Sequence, residues 1–83
     1  MSFIREIIQK QDCSIEELIS CFEQVKKNGD IAVIKFDGER TVNEYTIFIT
    51  FPLIKKREMI RADVSDLKKG LIKVLIRYIE GDV

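Results

Sequence analysis

The chain has 83 residues, of which 46% are apolar and 34% charged, so its composition predicts one compact domain over residues 1–83 and excludes a disordered chain. Fourteen basic side chains balance fourteen acidic ones, and the net charge therefore neither favours nor excludes nucleic acid as a partner. The last third, residues 54–83, is the basic end, with eight basic and five acidic side chains.

The residues that most enzymes and metal sites require are scarce. The chain has no histidine, which removes the usual general base and the commonest zinc ligand. Cys13 and Cys21 would lie about 12 Å apart on one helix, so they predict free thiols in a reducing compartment rather than a disulfide. We therefore expect no enzymatic activity, no metal and no cofactor.

The beginning of the chain and its apolar runs bear on location. The first residues lack the basic and then apolar pattern of a signal peptide, and no apolar run approaches the roughly 18 residues that span a bilayer. We expect a cytoplasmic protein with no membrane partner.

Helical spacing dominates the first thirty residues. Residues 2–11 place four apolar side chains on one stripe, which predicts either a short separate helix or the front half of the next one. Ser14 and Glu17 form a capping box, and Asn28-Gly29 is typical of a helix end. Between them the apolar face of a helix is predicted from Ile15, Leu18, Ile19, Phe22 and Val25.

Three strands follow. The alternation predicts strands over 30–36, 45–51 and 58–62, with Pro52 ending the second because proline cannot donate to a ladder. Asp37-Gly38 would suit a two-residue hairpin turn. A longer loop over roughly 37–43 is the alternative that we favour, because it pairs Phe36 with Tyr45 and keeps the second strand opposite the first.

The final helix is predicted to start among Asp63-Val64-Ser65-Asp66, which offers two N-caps, and to run to about Ile79. Gly70 interrupts it, which indicates close packing, with the sheet as one candidate neighbour. The element order is α-α-β-β-β-α. We predict a two-layer α+β domain in which a three-stranded antiparallel meander carries helices on one face.

Two surfaces are candidates for function. The outer face of the sheet combines large apolar side chains with threonines and cations, which is typical of a partner-binding patch; its members are Lys35, Thr46, Phe48, Thr50, Met59 and Arg61, with Val33 beside them. The alternative is a basic surface made by Lys55, Lys56, Arg57, Lys68, Lys69, Lys73 and Arg77. The outer face predicts either cover by the first helix or a partner protein, a second copy of the chain included.

The order helix, three antiparallel strands, helix over roughly residues 14–80 resembles that of double-stranded RNA-binding domains. Those domains carry basic residues at the start of the last helix, where Lys68, Lys69 and Lys73 stand in this chain. The resemblance implies duplex RNA as an alternative partner. The chain lacks the histidine that the family carries in the loop between its first two strands.

We favour a second hypothesis, in which the chain is a small intracellular protein that docks on another protein and regulates or inhibits it. Its size, mixed charge and lack of catalytic groups look similar to those of toxin-immunity proteins and other small bacterial or phage inhibitors.

Overall fold

The computed structural model describes residues 2–81, so positions 1, 82 and 83 of the predicted domain lie outside the description. The element order is the predicted α-α-β-β-β-α, with a short 3-10 turn added before the third strand. The elements are α1 (Ser2–Ile8), α2 (Ile15–Lys27), β1 (Ile31–Phe36), β2 (Tyr45–Thr50), the turn Leu53–Lys55, β3 (Ile60–Val64) and α3 (Leu67–Glu80).

The sheet is an antiparallel meander in the order β1-β2-β3. Phe36 pairs with Tyr45 and Ile34 with Ile47, which confirms the longer hairpin loop. The third strand begins two residues later than predicted, because the turn at Leu53–Lys55 and an irregular stretch over residues 56–59 precede Ile60.

The inner face of the sheet forms one side of the core. Ile47 and Ile49 on β2 are fully buried beneath the helices, and Ile60 and Ala62 on β3 are buried beside them, as the alternation predicted. α3 packs against β2 and β3, whereas α2 packs against β1 and α3. α1 is a separate helix that packs on α2 and α3, so it does not cover the outer face of the sheet.

One flank of α2 departs from the prediction. Leu18, Phe22 and Val25 are buried, but Ile15 and Ile19 are exposed, at 39% and 41% of their surface. Cys21 takes part in the core in their place. Both cysteines are free and buried, and burial raises the pKa of the Cys21 thiol to about 11.

The ends of the helices follow local rules. The Ser14–Glu17 capping box is formed, and Gly29 adopts a φ of 88° just beyond α2. Asp66 is the N-cap of α3 and accepts a hydrogen bond from the Lys69 amide. Asp63, the first of the four residues among which the helix was predicted to start, lies within β3 instead, because β3 continues until Val64 pairs with Tyr45.

Candidate partner-binding surface

The outer face of the sheet brings the predicted partner-binding residues together in rows. The strand register places Val33, Phe48 and Arg61 side by side across the three strands. It places Lys35, Thr46 and Asp63 in the next row. Because α1, α2 and α3 all lie on the opposite side or on one another, this face meets solvent directly.

The polar end of this face, around Thr46 and Asp63, is covered by side chains that hydrogen-bond to one another. The Arg40 guanidinium reaches from the hairpin loop to Thr46 Oγ1 at 3.2 Å and to Asp63 Oδ1 at 3.1 Å. The Thr46 hydroxyl donates to Asp63 Oδ1 at 2.5 Å, and the Arg61 Nε donates to Asp63 Oδ2 at 3.2 Å. These bonds, the Thr46 one first, hold the pKa of the Asp63 carboxyl far below its usual range.

Thr46 therefore offers a partner almost no surface, since only 3% of it remains exposed. Sequence reasoning placed it in the binding patch because alternation alone puts it on the outer face. It missed Arg40 and Asp63, which cover it. The one local signal was the position of Arg40, six residues before Thr46 in a polar loop.

The apolar end of this face is open. Phe48 on the central strand and Val33 on β1 are half-buried, while Met59 just before β3 is 50% exposed. Thr50 lies beside them, opposite Ile31, which is itself 60% exposed. This end of the face is therefore an uncovered apolar strip with a single cation, Arg61, in the row of Val33 and Phe48.

Further apolar surface lies at the same end of the sheet and was not among the predicted site residues. Leu53 and Ile54 occupy the turn that follows β2 and are 95% and 88% exposed. Their sequence signal was the pair itself, two large apolar residues between Pro52 and a basic run. Fully exposed leucine and isoleucine side chains at a turn favour contact with another molecule.

The first basic cluster, which consists of Lys55, Lys56 and Arg57, makes contacts that stabilise the fold. Lys55 donates to the buried Asp30 carboxylate at 2.6 Å and to the Asn28 carbonyl at 3.0 Å. Arg57 donates to the Arg77 and Tyr78 carbonyls, at 3.0 and 2.7 Å, and so caps the C-terminal end of α3.

Two further features belong to this cluster. The Arg57 guanidinium lies 4.4 Å over the centre of the Phe51 ring, which holds it in the capping position. Lys56 is exposed, with a positive φ of 49°. Of the three cations, Lys56 is thus the one that points its charge at solvent.

The second basic cluster, which consists of Lys68, Lys69, Lys73 and Arg77, lies along α3. Lys68 pairs with Asp12 at 3.3 Å, and Arg77 donates to the Arg61 carbonyl at 3.3 Å. Lys69 and Lys73 are exposed. They line a shallow apolar depression of about 360 Å³ over Ile72 and Ile76. The seven predicted basic residues therefore do not form one continuous charged surface.

A buried polar cluster joins α2, α3 and the loop after β2. The Tyr78 hydroxyl donates to Asp30 Oδ2 at 2.6 Å and accepts from the Asn28 amide at 3.1 Å. Burial, with a smaller effect of Asp30, raises the pKa of Tyr78 to about 12. Tyr78 also stacks on Phe51 with ring centres 5.9 Å apart, so the cluster serves to tie these segments together.

Two kinds of feature are absent from residues 2–81. No three histidine, cysteine, aspartate or glutamate side chains are grouped so that they would hold a metal ion. None of the helices in this range has the length and apolar character needed to cross a bilayer. Comparison of the chain with protein-family models, with curated proteins and with solved structures finds no match.

Proposed function

We propose that the protein is a non-enzymatic binding domain that docks on another protein and regulates or inhibits it. The observation that carries the proposal is the uncovered apolar end of the outer sheet face, where Phe48, Val33 and Met59 meet solvent with none of the described helices above them. A domain of this size gains stability by burying such side chains, so their exposure favours a role in binding another molecule.

The residues of this surface suit an interface. Specific complexes bury about 800 Å² on each partner and depend on a few large anchors in a dry centre. Phe48 and Met59 supply the anchors, with Lys35 and Arg61 as a charged rim and Thr50 between them. Leu53 and Ile54 extend the apolar area at the same end of the sheet.

The test compares variants that remove one exposed apolar side chain from different faces. Phe48→Ala shortens a half-buried anchor on the outer face, whereas Ile76→Ala shortens an equally apolar side chain, 38% exposed, on α3. The immobilised wild type, Phe48→Ala and Ile76→Ala are used in parallel to capture partners from the native cell, and the captured protein is then purified for kinetics.

We expect Phe48→Ala to dissociate at least about tenfold faster from the partner, since anchor truncations cost more than 1 kcal/mol and act on dissociation. Ile76→Ala should bind as the wild type does. The proposal is wrong if Phe48→Ala binds unchanged while reversing Lys69 and Lys73 to glutamate abolishes binding.

Duplex RNA is the competing partner, and the exposed Lys69 and Lys73 on α3 are the observation that favours it. Binding through these lysines would weaken steeply as salt rises, because each phosphate contact releases counterions. We expect no duplex binding at physiological salt. A micromolar gel shift that fades with added salt and disappears in the double lysine reversal would establish the alternative.

A further inference from the structure

The outer edge of β1 has unpaired backbone groups. β1 is the first strand of the sheet and pairs with β2 alone among the described strands. The Asp37 amide donates to the Glu44 carbonyl at 2.8 Å, in line with the strand register, so these two residues are a hydrogen-bonded pair. Such pairs recur at every second residue of an antiparallel ladder. The backbone groups of Ala32, Ile34 and Phe36 therefore point away from β2.

The edge lacks the usual protection against pairing. Natural sheets guard edge strands with proline, bulges or several charges. The six residues of β1 include no proline and one charge, Lys35, which is in an ion pair with Asp37 at 3.4 Å. The strand is otherwise made of β-branched, aromatic and small apolar residues, which favour a further strand beside it.

A groove runs along this edge between α2 and β1. It has a volume of about 350 Å³, and its apolar lining includes Ile19 and Phe22 from the helix and Ala32 and Ile34 from the strand. Ala32 and Ile34 point their side chains to the inner face of the sheet. The next strand outward would point alternate side chains into the same groove.

The layer spacing explains why the groove exists. Strands lie about 4.8 Å apart and packed helices about 8–10 Å apart. α3 packs on β2 and β3, and its neighbour α2 packs on β1. These spacings therefore imply that α2 extends partly beyond the edge of β1. Ile19 lines the groove and is 41% exposed, and Ile15 lies one helical turn before it on the same stripe of α2. This stripe would cover a fourth strand beside β1.

We propose that the β1 edge and the overhanging flank of α2 form a groove that takes an extended, uncharged segment of a partner protein as a fourth strand. Backbone groups of the segment pair with Ala32, Ile34 and Phe36, and its alternate side chains, large and apolar, enter the groove beside Ala32. This mode of recognition combines main-chain bonds for affinity with pockets for alternate side chains.

The charges of the groove select an uncharged segment. Glu23 and Lys26 stand at its rim and pair with each other at 3.1 Å. Asp30 is buried against Lys55 and Tyr78. The lining thus presents apolar surface with its charges already compensated, and a charged side chain entering it would lose its hydration without gaining a partner.

The space and the area both favour a single strand over a second copy of the chain. A second copy paired through β1 would bring its own α2 into the position that the first α2 already overhangs. A six-residue edge is about 20 Å long. With the roughly 10 Å between sheet and helix layers, it buries on the order of 200 Å² per side, well below the 800 Å² of a standard interface.

This groove is separate from the outer face, since its side chains point to the opposite side of the sheet. Its test uses a displayed library of random octapeptides panned on the wild type. The enriched sequence is synthesised with a fluorescent label, and its affinity is measured by anisotropy. We expect sequences with apolar residues at alternate positions and without proline. Failure of the library to enrich any sequence that binds as a free peptide would overturn the proposal.

Amide hydrogen exchange locates the bound peptide. In the free protein the amides of Ala32, Ile34 and Phe36 exchange quickly, whereas those of Val33 and Lys35 are protected by β2. The peptide should protect the first three and leave the other two unchanged. Protection elsewhere, with these three still exchanging quickly, would show that the peptide binds another surface.

Two variants test the two components of the groove. Ala32→Pro removes an N–H that points to the open edge, so no bond to β2 is lost, and Ile19→Glu places a charge on the exposed flank of α2. Ile76→Glu is the matched control on α3, since Ile76 and Ile19 are 38% and 41% exposed. Melting curves establish first that all three variants fold.

We expect Ala32→Pro and Ile19→Glu each to weaken peptide binding about tenfold or more, and Ile76→Glu to leave it unchanged. Unchanged affinity in both groove variants would overturn the proposal. Sedimentation of the wild type tests whether a second copy of the chain occupies the groove instead of a peptide. A dimer that Ala32→Pro dissociates would mean that a second copy pairs with the β1 edge. An outer-face variant such as Phe48→Ala should keep the peptide affinity, so the proposals for the two surfaces can be refuted independently.

Discussion

Replacing Gly70 by alanine sets two known effects against each other. Within a helix, alanine is favoured over glycine by about 1 kcal/mol, so propensity alone predicts a more stable protein. A Cβ at Gly70 would lie 2.8 Å from Ile47 Cδ1 and closer still to Val64 Cγ2, whereas carbon atoms in contact prefer about 3.5–4.0 Å. Ile47 is fully buried, so moving it would disturb its neighbours in the core.

We expect the steric cost to exceed the gain in propensity. Overpacking a core by one methyl group costs roughly 1–3 kcal/mol, and both neighbours of the new methyl belong to the sheet on which α3 rests. The net effect of Gly70→Ala should be a loss of up to about 2 kcal/mol. For a domain of this size a loss of about 2 kcal/mol lowers the melting temperature by roughly 8–16 °C.

Urea denaturation followed by circular dichroism measures the change directly. The double variant Gly70→Ala with Val64→Ala supplies the control, because removing the Val64 methyl groups opens the space that the new Cβ needs. The two substitutions should therefore cost less together than the sum of their separate costs. If Gly70→Ala alone raises the stability by the 1 kcal/mol that propensity predicts, α3 does not press on the sheet at this position.

Four further variants test the core, the buried cluster and the outer face. Tyr78→Phe removes a donor to the buried Asp30 while keeping the ring, so urea denaturation should show a loss of about 2 kcal/mol; an unchanged midpoint would mean that Asp30 needs no donor there. Asp63→Asn should destabilise at neutral pH, and because the folded pKa of Asp63 lies below its ordinary 3.8, this difference should shrink as the pH falls below about 4, as acid titrations of both proteins would show. Ile47→Asp should unfold the domain, whereas Phe48→Ala should leave it folded; thermal melts that rank them in the opposite order would reverse the faces of β2.

Local pattern by itself determined the order of the elements and the buried face of β2. Alternation along β2 placed Ile47 and Ile49 inside, and a capping box at Ser14 placed the start of α2. The glycine at position 70 indicated close packing, which the sheet indeed supplies. These features depend on residues that are neighbours along the chain, where sterics and hydrogen bonding do not depend on distant parts of the fold.

Tertiary structure alone decided which of these surfaces remain available. Ile19 lies on the apolar stripe of α2 but stays exposed, because helices are wider than strands and α2 overhangs the edge of a three-stranded sheet. Thr46 is on the outer face but is covered by Arg40, and Lys55 and Arg57 turn inward to Asp30 and to α3. Most of these contacts join residues 20 or more positions apart, and periodicity holds no information about which distant side chain will lie opposite a given face.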